Sequence, residues 1–132
     1  MIKEIRVGIV RVVIVDDQAP FRDAARMVAE LTDSFEVVGE AETGEAAVEM
    51  VRDLDPDLVL MDVNLPGIDG LEATRRILAG SDRTRIILVL STYEPDEYAP
   101  RAAAAGAAAY IPKSLFGPDA LAEAWEAATA ER

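Results

Sequence analysis

The segments Leu58-Val-Leu-Met61 and Ile86-Ile-Leu-Val-Leu90 are apolar at every position, so neither face of either segment can be left against water. Side chains of an extended chain point alternately to opposite faces, and a strand apolar on both must be covered on both. Five short β-rich runs follow one another: Val10 to Val15, Glu36 to Ala41, Leu58 to Met61, Arg85 to Leu90 and Ala109 to Pro112. Helical spacing fills the gaps. A first helix opens near Pro20 and places Phe21, Ala24, Ala25, Val28 and Leu31 on one face. Thr43 caps a second, with Glu45 in its first turn and Ala47, Val48, Val51 and Leu54 facing inward. A third begins near Gly70 and buries Leu71, Thr74 and Ile77 or Leu78. A fourth ends at Gly106, and Pro100 predicts that it starts late, because a proline beyond the first turn removes a hydrogen bond and costs about 3 kcal/mol. A fifth follows Gly117-Pro118-Asp119 and carries Leu121, Ala124 and Trp125. Strands buried on two sides and alternating with helices define an α/β, (βα)5 pattern with a doubly wound parallel sheet. Such sheets bind ligands beyond the carboxyl ends of their strands, where the strand order reverses.

The chain has 132 residues, the size of one domain, and no internal break divides it, so residues 1–132 are expected to form one unit. With 51% apolar residues it can build a core and is not a disordered tail. No apolar run approaches the roughly 20 residues of a bilayer span. Glu4 and Arg6 interrupt the start of the chain where a signal peptide needs an apolar stretch, so a cytoplasmic location without a membrane partner is expected. The net charge of −12 repels phosphate backbones and disfavours nucleic-acid binding by this chain alone. There is no Cys and no His, which excludes disulfides, thiolate nucleophiles, imidazole bases and the usual zinc sites. Chemistry is left to carboxylates, hydroxyls and lysine.

The first strand ends in Asp16-Asp17 and the third in Asp62. If those strands are neighbours, three carboxylates converge. Two unit charges about 4 Å apart repel by roughly 4 kcal/mol at an effective dielectric near 20, and three ionised groups make three such pairs. Two remedies exist: a raised pKa on one acid, or a bound divalent cation. Oxygen-only donors select a hard ion, and Mg²⁺ is expected. Asp16 and Asp17 are equally suited to a turn or helix cap. Asp62 directly follows four apolar residues, where an unpartnered carboxylate forfeits several kcal/mol of hydration, and this favours a functional role. The backbone carbonyl of Asn64 is positioned to add a hard oxygen, although a turn residue before Pro66-Gly67 explains it as well. Ser91 and Thr92 end the fourth strand and Lys113 follows the fifth, so a hydroxyl and an ammonium complete the rim. A carboxylate beside a metal can attack a phosphoryl group while Ser91 and Lys113 each hold an equatorial oxygen.

These residues resemble the receiver domains of two-component response regulators. The motifs are Val15-Asp-Asp-Gln18, Leu60-Met-Asp-Val-Asn-Leu-Pro-Gly-Ile-Asp-Gly70, Leu90-Ser-Thr92 and Gly106-Ala-Ala-Ala-Tyr-Ile-Pro-Lys113, and the likeness runs from Val10 to about Ala128. It implies a flavodoxin-like or CheY-like fold with strand order 2-1-3-4-5. It implies Asp62 as phosphoacceptor, Asp16, Asp17, Asp62 and the Asn64 carbonyl as Mg²⁺ ligands, Ser91 as switch hydroxyl, Lys113 as phosphate-binding cation and Tyr110 as switch aromatic. Spacing alone reads Tyr110 as a half-buried edge residue with a wet hydroxyl. Gln18 with Arg22, Thr92-Tyr93, Asp96-Glu97-Tyr98 and Lys113-Ser114 look like the LuxR/NarL subgroup, whose members usually carry a DNA-binding helix-turn-helix after the receiver. No such module stands in these 132 residues, and a receiver cut from a longer transcriptional regulator is the expectation, with a stand-alone protein-interaction module as the alternative. Many receivers hold a cis bond to a proline after the lysine, whereas Ser114 stands here and no cis bond is expected.

The resemblance implies a signalling phosphoacceptor that catalyses only its own phosphorylation and dephosphorylation. The donor is the phosphohistidine of a sensor histidine kinase, homodimers are possible on phosphorylation, and DNA is reached only through a C-terminal domain. A haloacid-dehalogenase-like phosphatase needs a second acid where Asn64 stands. A flavodoxin-like flavin carrier needs a Gly- and hydroxyl-rich loop where Asp16-Asp17-Gln18 would repel phosphate. A degenerate receiver, signalling without phosphate, is opposed by the intact acid set.

Overall fold

A computed structural model describes residues 8–130. Its elements run β1 (Val10–Val15), α1 (Ala19–Leu31), β2 (Phe35–Ala41), α2 (Gly44–Leu54), β3 (Leu58–Asp62), α3 (Gly70–Ala79), β4 (Ile86–Ser91), α4 (Pro95–Ala105), β5 (Ala109–Pro112), a 3₁₀ turn (Lys113–Leu115) and α5 (Pro118–Thr129). The five strands pair in parallel in the order β2-β1-β3-β4-β5, as the resemblance implied. All five strand expectations hold to within a residue at each end, and β3 and β4 each take in one further polar residue, Asp62 and Ser91.

Alternation divides the sheet's side chains between two cores. Val13, Val15, Val59, Met61, Ile87 and Val89 pack beneath α2, α3 and α4, where Ala47, Val51, Leu71, Ala73, Ile77 and Ala102 meet them. Val12, Ile14, Leu58, Leu60, Leu88 and Leu90 face α1 and α5, where Ala25, Ala29 and Leu121 are buried. Every residue of β3 and β4 is buried, which is why their sequences lack alternation. Trp125 meets Phe35 edge-on at 6.1 Å, at the amino end of β2.

The expected caps form. Thr43 Oγ1 accepts from the Ala46 N–H at 3.0 Å, and Gly106 closes α4 with φ of 106°, where a Cβ would stand 2.5 Å from Leu78 Cδ1. Two expectations on α1 need correction: Ala24 and Leu31 are exposed, because the stripe that faces the sheet is set by Ala25 and Ala29 with Phe21 and Val28 half-buried beside them. The late start of α4 is also corrected. The helix opens at Pro95, whose fixed φ suits a first turn, and runs through Pro100. The N–H that Pro100 lacks would have met the carbonyl of Asp96, and both residues are exposed, so water can take that carbonyl. No peptide bond among the described residues is cis.

At the amino edge of the sheet three arginines grip the turn into β3. Arg11 donates to the Leu54 and Asp55 carbonyls, Arg83 to the Asp55 and Pro56 carbonyls, and Arg85 to the Pro56 carbonyl and to Asp55 Oδ1 at 2.7 Å. They satisfy the carbonyls at the end of α2 and fix where β3 enters, hence where it ends.

At the other end of β3, Gly70 brings α3 against the strand. A Cβ on Gly70 would lie 1.9 Å from the Asp62 carbonyl oxygen, an impossible approach, while its N–H donates to the Val63 carbonyl at 2.8 Å. Gly70→Ala must therefore push the helix off Asp62. It is expected to cost about 3 kcal/mol, roughly 10 °C in Tm for a chain of this size, by thermal unfolding. A Tm within about 2 °C of the parent would show that this contact does not seat α3.

Candidate functional site

Because β1 and β3 are neighbours, with Val15 in register with Met61, the residue after β1 lies beside the last residue of β3. Asp16 and Asp62 thus meet at the carboxyl edge of the sheet, and one carboxylate oxygen from each of Asp16, Asp17 and Asp62 lies within 4.8 Å of the others. Asp16 is 1% exposed, Asp62 5%, and Asp17 faces solvent, so two of the three charges sit almost out of water.

Asp16 is held from several sides. Its N–H donates to the Ala41 carbonyl at 3.0 Å, its Oδ1 accepts from the Gln18 N–H at 2.8 Å, and Arg22 Nη1 donates to its carbonyl at 2.7 Å. Arg22 is itself paired with Glu40 at 3.2 Å. Lys113 enters from the end of β5: its Nζ lies 2.7 Å from Asp16 Oδ2, 3.4 Å from Asp62 Oδ1 and 4.3 Å from the centre of the Phe21 ring. Among the described residues the Lys113 ammonium is the one partner of buried Asp16 Oδ2, an ion pair at 2.7 Å. One ammonium between two buried carboxylates leaves one negative charge over, and Asp17 adds another at the mouth.

The Asp62 carboxyl responds as electrostatics requires. Burial first, then the charge of Asp16, push its pKa up to about 6; Lys113 opposes the rise and Asp17 adds a little to it. For Lys113, burial disfavours the ammonium, but its pairing with Asp16 and the charges of Asp62 and Asp16 outweigh this and raise its pKa. The first of the two remedies expected from sequence, a raised pKa, is thus present at Asp62 but leaves it mostly ionised at neutral pH. The donor set also suits the second. Three carboxylates in a chain without His or Cys, two of them buried around a single ammonium, fit a hard divalent cation.

Ser91 ends β4, is 1% exposed, and its Oγ accepts from the Tyr93 N–H at 3.1 Å. Tyr110, in β5 and half-buried, donates its hydroxyl to the Tyr93 carbonyl, so that hydroxyl is not simply wet. The two are joined through the backbone of one residue, Tyr93, whose ring stacks on Tyr98 at 4.5 Å. Asn64 and Thr92 are exposed. The structure thus brings together Asp16, Asp17, Asp62 and Lys113, and leaves Ser91 and Tyr110 engaged with the loop after β4. Sequence reasoning gave no part to Phe21 beneath the Lys113 ammonium. The signal was its place five residues past Asp16 at the head of a helix. Arg22, noted only as a subgroup resemblance, braces the Asp16 backbone.

Residues 12–126 match the family described as the response regulator receiver domain. The chain belongs to that family, the receivers of two-component signalling. It is 37% identical over 115 residues to transcriptional regulatory protein DegU of Brevibacillus brevis, covering 87% of this chain and 48% of that protein. It is 43% identical over 105 residues to response regulator GacA of Pseudomonas viridiflava, covering 79% of this chain and 48% of that protein. The chain therefore spans about half the length of these relatives. Among solved structures it resembles a LuxR-family two-component response regulator from Aurantimonas sp. SI85-9A1, with a TM-score of 0.84 and 35% identity, covering 94% of this chain and 87% of that one. It also resembles the signal receiver domain of the NarL response regulator of Mycobacterium tuberculosis, with a TM-score of 0.83 and 29% identity over 94% of this chain and 98% of that one.

An acid whose pKa is higher folded than unfolded binds its proton more tightly in the fold, so its contribution to stability falls as pH rises from the ordinary Asp range through about 6. In EDTA the protein should lose stability over that window on account of Asp62. Asp62→Asn should remove this loss and melt about 5 °C above the parent at pH 7.5. A variant melting below the parent at that pH would show that the Asp62 charge is not strained.

Proposed function

We propose that this chain is a phosphoacceptor receiver in which Asp62 takes a phosphoryl group from the phosphohistidine of a sensor histidine kinase. The observation that carries the reading is the Asp62 carboxylate, buried at the end of β3 with two other carboxylates and the Lys113 ammonium around it. One Asp62 oxygen attacks phosphorus, the P–N bond breaks, and its electron pair returns to the imidazole nitrogen, leaving an acyl phosphate on Asp62. The nucleophile must be ionised, which a pKa near 6 permits at neutral pH. Asp16, Asp17, Asp62 and the Asn64 carbonyl would hold Mg²⁺, which when bound offsets charge on the attacking and transferred oxygens. Lys113, now shared between Asp16 and Asp62, is placed to follow the negative charge onto the phosphoryl oxygens.

Ser91 is the switch hydroxyl in this proposal. Turning towards a phosphoryl oxygen, it gives up the Tyr93 N–H, and the same residue's carbonyl holds the Tyr110 hydroxyl. A change at Asp62 thereby reaches β5 and the surface around α4 through one peptide, a local charge event with a surface consequence. The family, the DegU and GacA likenesses and the length of those relatives support a receiver that controls transcription as part of a longer regulator, with DNA contacted through a domain beyond these residues and dimers formed on phosphorylation. This chain's own charge of −12 fits that division of labour.

Incubation with Mg²⁺ and acetyl phosphate, followed by intact-mass measurement, should add one phosphoryl group to the parent and none to Asp62→Ala. The adduct should be lost in mild base, as acyl phosphates are. Equal labelling of both proteins, or of neither, would overturn the assignment.

A further inference from the structure

Glu45 is the second residue of α2 and is exposed, and a negative charge in the first turn of a helix already has a reason to be there. Its carboxylate nevertheless leaves its own helix. Oε2 accepts from the backbone N–H of Ile68 at 3.2 Å, in the loop between Asp62 and α3. Gly67 beside it has φ of 76°, and a Cβ there would stand 2.7 Å from both Glu45 oxygens, so the carboxylate lies directly against bare backbone. The neighbouring Gly44 completes the seat: a Cβ on it would lie 2.6 Å from Ile68 Cγ1 and 3.0 Å from the Ile68 carbonyl oxygen. The head of α2 thus rests on the tip of the loop.

The other end of the loop is pinched by its own backbone. The Val63 carbonyl accepts from the Leu65 N–H at 3.1 Å and from the Gly70 N–H at 2.8 Å. Within residues 64–68 the Leu65 side chain is buried in the core and Ile68 packs against it, and among the described residues Glu45 is the one side chain that hydrogen-bonds their backbone. Asn64 lies in this span, two residues after Asp62, and is exposed. A carbonyl offered to a small cation with strict geometry is useful only if the loop that carries it is still.

We infer that Glu45 is a positioning residue for the divalent-cation site, acting through the Ile68 N–H to hold the loop on which Asn64 is presented. This rests on the phosphoacceptor reading of the acid cluster. Among the described residues Glu45 makes no hydrogen bond to Asp62, and its effect on the site is the order it imposes on residues 64–68. Gly67 and Gly44 serve the same contact by letting the two segments approach.

Calorimetric titration with Mg²⁺ alone tests this on the parent, Glu45→Ala, Glu45→Gln and Glu49→Ala. Glu49 is exposed on the same helix and among the described residues makes no hydrogen bond to the loop, so its variant is the control for loss of a charge from α2. Glu45→Ala is expected to weaken Mg²⁺ binding about three- to tenfold, the worth of one hydrogen bond. Glu45→Gln, which keeps an acceptor for the Ile68 N–H, should recover affinity to within about twofold of the parent and leave the Ile68 amide resonance near its original shift. Unchanged affinity in Glu45→Ala, whatever happens to Tm, overturns the inference by reducing Glu45 to a helix-end charge. So does an equal loss in Glu45→Ala, Glu45→Gln and Glu49→Ala, which would be a through-space charge effect. If the parent binds Mg²⁺ yet accepts no phosphoryl group from acetyl phosphate, the phosphoacceptor reading fails while the Mg²⁺ comparison still decides the role of Glu45.

Discussion

Two carboxylates are held out of water within reach of a single ammonium, and the architecture around them serves to keep them there. Left to themselves Asp16 and Asp62 would separate, because burial strips each of hydration and proximity adds repulsion. The fold prevents separation by placing each at the end of a strand hydrogen-bonded to the other, with Val15 and Met61 in register one residue before the pair. It offsets repulsion with Lys113, whose chain position at the end of β5 is far from both acids and whose Nζ nevertheless lies 2.7 Å from one and 3.4 Å from the other. The remaining imbalance shows as the raised pKa of Asp62, the mark of a site short of positive charge.

Such a site has to be rigid, and the rigidity is supplied from behind. The arginines at the amino edge of the sheet fix the entry of β3, five fully buried residues carry that position forward, and Gly70 lets α3 close on the Asp62 carbonyl. Arg22 holds the Asp16 backbone from the α1 side. α4 buries only Ala102 and Ala105, includes a proline in its interior, and meets Ser91 and Tyr110 through the loop at Tyr93.

The fold was largely legible because its signals are local and mutually consistent. Runs such as Leu58-Val-Leu-Met61 announce two-sided burial whatever surrounds them, and Thr43, Gly106 and Pro118 mark helix ends by their own stereochemistry. The misreadings came where packing decides among locally equivalent choices. Ala24 and Leu31 share a helical stripe with Ala25 and Val28, yet the face of α1 that packs on the sheet is the one carrying Ala25 and Ala29, which leaves them in solvent. Pro100 is costly in a buried helix and tolerable here, because the carbonyl it deprives of a partner belongs to an exposed residue.

The same division runs through the site. The amino-acid order by itself determined which groups stand at strand ends, Asp16, Asp17, Asp62, Ser91 and Lys113, and that without His or Cys any chemistry there belongs to oxygen and to one ammonium. Only the tertiary structure decided that Lys113 is shared between Asp16 and Asp62 over the Phe21 ring, that Ser91 and Tyr110 meet at opposite ends of the same residue, and that Glu45 reaches Ile68 from another helix. Periodicity is a property of neighbours along the chain and can be read from one segment at a time. A contact between residues dozens of positions apart depends on strand register and on how closely two backbones approach, and those are settled only when all the segments pack together.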